Sequence, residues 1–149
     1  MTETEKKKQW LQSYRWIGRR VRFLERQEER LRLSALPSGV SYDGMPHGSG
    51  DNTADLANYA AKVNDAHAKV TRIKTLWLER YDDVMTAIMK LPAKESEVLA
   101  LRYIECLQWN ECAHMMGYKD PRSINPIHGS ALEHLVMPTY DDEILYGGH

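Results

Sequence analysis

Apolar side chains recur at Trp10, Tyr14, Ile17, Val21, Leu24, Leu31 and Ala35, spaced alternately four and three once Glu28 is counted as one polar break. That is a heptad seam, and it predicts one helix from about Glu5 to Leu36, roughly 45 Å long at 1.5 Å per residue. A helix with so narrow an apolar stripe needs a partner along it. Residues 37–52 hold four glycines and two prolines, which end the helix and predict a connecting loop. A second helix is expected from near Thr53, capped by Asp51 or Asn52. Its seam runs Leu56, Tyr59, Val63, Ala66, Val70, Ile73, Trp77, Tyr81, Val84, Ile88 and Leu91, and the step from Trp77 to Tyr81 to Val84 reads as a stutter. Two seams of similar length joined by one loop predict a long antiparallel helical hairpin over residues 1–91. Self-association through the same seams satisfies the heptads equally well.

Leu91-Pro92 marks a hinge. Pro92 suits the first turn of the next helix, with Glu95 and Glu97 near its positive end. Residues 92–136 then read as three short helices. Val98, Leu99, Leu101 and Ile104 line the first, and Trp109, Cys112, Ala113 and Met116 line the second. Gly117 stands where a left-handed residue would stop that helix. Ile124, Ile127, Ala131 and Leu135 line the third, for which Ser123 is the expected N-cap. With that start Pro126 falls in the first turn, where its missing N–H costs nothing. Two short helices joined by a glycine turn outline a helix-turn-helix. Trp109, Cys112, Ala113, Met116, Ile124, Ile127 and Leu135 are expected to form its one small core. Residues 137–149 are an acidic tail, expected to be loose.

The runs V-L-A-L-R-Y-I-E, W-N-E-C-A-H-M-M-G-Y and I-H-G-S-A-L-E-H-L, between Val98 and Leu135, resemble region 4 of bacterial sigma factors. More closely, the chain resembles phage and prophage transcriptional regulators of the ArpU/RinA type, which join a helical hairpin to a sigma-like helix-turn-helix. The resemblance covers most of the chain and is strongest in its last third. It implies an all-α fold of hairpin plus helix-turn-helix and a transcriptional regulator that binds double-stranded DNA; the hairpin would then give dimerisation or contact with RNA polymerase. Pro126 and Asn125 depart from the family pattern, which has more Lys or Arg in the third helix.

Charge complicates that expectation. Residues 1–36 hold ten Lys/Arg against five Glu, a balance of +5; residues 37–91 come to −1 and residues 92–149 to −5. The region that should read DNA is acidic, and the basic end is the first helix. For base contacts the third helix offers Asn125, His128 and Arg122, since Asn pairs with adenine and Arg with guanine in the major groove. Lys119, Arg122 and Ser123 are suited to phosphates. Arg15, Arg19, Arg22 and Arg26 share a stripe of the first helix that either tracks phosphates or forms a solvated face paired with nearby acids. A homodimer is expected, because operators read by such motifs are commonly two-fold. The competing reading is a coiled-coil interaction module whose acidic C-terminal unit docks a protein such as RNA polymerase.

Other chemistry is thin. Cys106, Cys112, His114, His128 and His134 match no standard zinc spacing, and neither thiol has a recognisable base and orienting partner. The sequence therefore predicts no enzyme, no cofactor and no metal. It carries no apolar run of membrane-span length and no signal peptide, so a cytoplasmic protein with no membrane partner is expected.

Overall fold

The computed structural model describes residues 1–34 and 50–140, with side chains from residue 54 in the second segment. It is all-helical, with no strand among the described residues. The helices are α1 (Glu3–Ser34), α2 (Gly50–Met89), α3 (Ala93–Leu99), α4 (Trp109–Met115) and α5 (Asn125–His134). A π-helical turn, Ala100–Ile104, extends α3, and a 3-10 turn, Pro121–Ile124, precedes α5. No helix of the described residues is long and apolar enough to cross a membrane. The chain forms two compact units, residues 1–18 with 76–149, and residues 19–75. The short helices share a unit with the first part of α1 and the last part of α2.

α1 opens with a capping box. Glu5 N–H donates to Thr2 Oγ1 at 3.1 Å, and Thr2 N–H donates to the Glu5 carboxylate at 3.0 Å. In the larger unit Trp10, Leu11, Val84, Ala87 and Ile88 join Leu99, Tyr103, Ala131, Leu132 and Leu135 in one buried cluster. Gly18 lies against the Trp77 indole, whose Cζ2 would stand 2.8 Å from a β-carbon there. Tyr14 packs on Trp77 with ring centroids 5.7 Å apart.

The α2 stutter is not there. Arg80, only 1% exposed, takes the seam position, and Tyr81 lies on the flank. Val70, Ile73, Trp77, Arg80 and Val84 thus alternate three and four, and beyond them both Ala87 and Ile88 are buried. A buried guanidinium needs partners. Nη1 of Arg80 donates to Ser13 Oγ, and the Tyr140 ring lies under the guanidinium carbon at 4.7 Å. The Tyr140 hydroxyl donates to Asp83.

Within residues 19–75, α1 and α2 pair antiparallel. Glu25 meets Lys74 at 2.9 Å, Glu28 meets His67 at 2.9 Å, and the Tyr59 hydroxyl donates to the Leu31 carbonyl at 2.8 Å. Glu28, the polar break in the seam, is buried and also held by Arg32 at 2.7 Å. Leu56, expected in the seam, is exposed instead.

Gly50 to Asn52 belong to α2, so the expected cap at Asp51 or Asn52 falls inside the helix; the rest of the predicted loop, residues 37–49, lies outside the described residues, as do Ala35 and Leu36. At the other end Met137 and Tyr140 pack against the larger cluster, so the first part of the predicted loose tail is fastened. Residues 141–149 lie outside the described residues.

Candidate nucleic-acid interface

α4 is held at both ends by its own sequence. At its start the Gln108 N–H donates to the Glu111 carboxylate at 3.3 Å. At its end Tyr118 N–H reaches the Ala113 carbonyl at 2.8 Å and Gly117 N–H the His114 carbonyl at 3.0 Å. Those two bonds, with Gly117 at φ 84°, make a Schellman motif. The side chain after the glycine, Tyr118, packs into the same cluster as Ala113, as that motif favours.

Beneath α4 lies a second small core of Val98, Leu101, Cys112, Ala113 and Ile124, with Leu107, Trp109, Met116, Tyr118 and Ile127 around it. This is the core expected from spacing, with one correction: Leu135 belongs to the larger cluster. Burial raises the Cys112 thiol pKa, which suits a packing residue better than a nucleophile. Glu95, expected merely to favour the start of α3, is buried and meets His134 Nδ1 at 2.7 Å and the Ser130 hydroxyl at 3.4 Å, which ties α3 to α5. Lys7 caps the far end of α5, donating to the Leu132 and Glu133 carbonyls at 2.9 and 3.3 Å.

The entry to α5 differs from expectation. Ser123 is exposed and caps nothing; Asp120 does the capping, its Oδ1 accepting from Arg122 N–H at 2.9 Å. Pro121 opens a 3-10 turn that runs into α5, so Pro126 still sits in the first turn of the α-helix and breaks no bond. The carboxylate of Asp120 also holds the Arg122 side chain, Nη2 to Oδ2 at 3.0 Å and Nε to both oxygens at 3.3 Å. Those bonds hold the Asp120 carboxyl below its ordinary pKa.

Lys119, Arg122, Ser123 and Asn125 are all exposed and follow one another through the turn into the first residue of α5. His128 is not with them. It is 9% exposed, its Nε2 lies 2.8 Å from the Tyr103 hydroxyl, and the Trp109 ring meets it edge-on at 4.7 Å. Burial first, then the charges of Lys8 and Arg102, push its pKa down to about 4. His128 is a core residue, which corrects its expected place among the base-reading ones. On α1, Arg15, Arg19, Arg22 and Arg26 are exposed. Glu25 and Glu28 are taken by Lys74, Arg32 and His67, and no ion pair among the described residues involves the four stripe arginines.

The charge now divides by compact unit. Residues 19–75 hold ten Lys/Arg against seven Asp/Glu, +3, and the unit carrying α4 and α5 holds ten against fourteen, −4. Among the described residues no three His, Cys, Asp or Glu side chains are grouped to hold a metal ion. No protein-family model, curated protein or solved structure matches the chain.

Proposed function

We propose that this chain is a DNA-binding transcriptional regulator of the phage or prophage type, a helical hairpin carrying a sigma-like helix-turn-helix. One observation carries the reading. A Schellman-capped α4 and the start of α5 share one buried cluster, while the turn and first residue of α5 present Lys119, Arg122, Ser123 and Asn125 outward. That is the arrangement in which a second helix lies in the major groove with its first residues against base edges. Two copies, paired through the long helices, would match two half-sites of an operator.

The net charge of −4 on this unit favours a second reading, a coiled-coil interaction module that docks a protein such as RNA polymerase. A library of genomic double-stranded fragments, offered at low salt and titrated with salt, separates the two. A regulator retains fragments with a shared sequence and releases them along a linear log–log salt plot. Retention of no fragment at low salt removes the DNA reading and leaves the docking module.

A further inference from the structure

Asp120 and Arg122 form a pair that does more than the proposed DNA reading asks of it, and any role in base choice rests on that reading. An arginine at the entry of a helix is ordinarily a swinging side chain with many rotamers to lose on binding. Here Asp120 fixes Arg122 twice, at the backbone N–H and along one edge of the guanidinium. Pro121 between them locks the intervening φ near −65°. The Arg122 side chain is nonetheless 85% exposed, so the fixed group is presented to the outside.

The chemistry of the remaining edge is specific. A guanidinium has five N–H donors in a rigid plane. The carboxylate occupies the edge formed by Nε and one hydrogen of Nη2. The outer edge, made by Nη1 and the second hydrogen of Nη2, has no partner among the described residues. Two parallel donors so spaced match O6 and N7 of guanine in the major groove, and no other base offers two acceptors there. A phosphate would accept the same edge without needing it aimed. We infer that Asp120 is a positioning residue that aims Arg122 at a guanine, so that this protein requires a G·C pair at one defined place in its DNA site.

The test uses the full chain and random-sequence duplexes. Bound sequences are recovered for the wild type, Arg122→Ala and Asp120→Asn, and affinities are measured on the recovered site and on its copy with that guanine replaced. Asn keeps the capping oxygen, and equal melting temperatures for wild type and Asp120→Asn check that the turn is intact. The wild type should prefer guanine at one position by roughly 5- to 150-fold, and Arg122→Ala should abolish that preference. Asp120→Asn should lower it by about 3- to 10-fold while leaving the other positions unchanged. A structural cap would not move base preference at one position. A stray negative charge, once removed, would strengthen binding to every sequence alike. Either of those results for Asp120→Asn overturns the inference and leaves the DNA reading standing, as does an Arg122→Ala protein with unaltered preference. A wild type that retains no duplex at low salt overturns both.

Discussion

Gly18 and Trp77 are in direct contact, the indole lying where a side chain on residue 18 would begin, with Cζ2 2.8 Å from the place of a β-carbon. The glycine is there for closeness of approach, since its helical backbone asks nothing special. Gly18→Ala should gain somewhat under 1 kcal/mol of helix propensity and lose about 1–3 kcal/mol by overpacking against an indole braced by Tyr14. A net loss of up to roughly 2 kcal/mol is expected in urea unfolding. A more stable Gly18→Ala protein would mean that the indole is free to move aside.

Ala113 is 1% exposed at the centre of the small core, against Cys112 and Ile124. Ala113→Glu places a carboxylate in a cluster whose residues are all uncharged. The expected cost is about 3–5 kcal/mol, of the order seen when a buried charge is left unpaired. Far-ultraviolet dichroism and melting should both register it. An unchanged melting curve would refute the packing of α4 against Ile124.

Period and polarity gave different answers at two positions, and period was right at both. Ile124, His128, Ala131 and Leu135 are spaced four, three and four, which puts His128 on the inner face of α5. Its imidazole suggested a groove, and the Tyr103 hydroxyl that satisfies it comes from 25 residues away. Likewise Arg80 fits the alternation of α2 better than Tyr81 does. A charged residue reads as surface unless its partners are known, and Tyr140 lies sixty residues further on. The long seams, the glycine stop at Gly117 and the small core were legible because their causes are local. The π turn was not. It runs Ala100–Ile104, and just past its cap Glu105 stands Cys106 with φ 58°, a left-handed conformation for which cysteine is no signal. Asp120 was legible neither as the cap, since Ser123 offers the same chemistry three residues on, nor as the holder of Arg122.

Buried His128 makes stability depend on pH. Its folded pKa of about 4 lies below the ordinary 6.5, so the unfolded chain binds the proton more readily. Stability from this group is complete above pH 6.5 and falls as pH drops from 6.5 toward 4, by about 3 kcal/mol at most. Urea midpoints between pH 7 and 4 should fall more steeply for the wild type than for His128→Phe, which has no proton to take up. Parallel curves would place the imidazole in solvent contact.

The arginines of α1 supply the last test. If the proposed regulator binds DNA although α4 and α5 belong to an acidic unit, attraction to phosphate must come from exposed cations, and residues 1–36 carry a balance of +5. Arg15, Arg19 and Arg22 are exposed, and among the described residues no carboxylate pairs with them, so each can release a counterion on meeting a phosphate. Changing all three to Gln should weaken binding to every sequence alike and flatten the salt slope by up to about three units, one per lost contact. Asn125→Ala should instead cost roughly 1–3 kcal/mol on the preferred site and little on random duplex. The two changes act on different terms, phosphate attraction and base contact. A triple variant with the full wild-type slope would make the stripe a solvated face and require the phosphate contacts to come from Lys119 and the turn before α5.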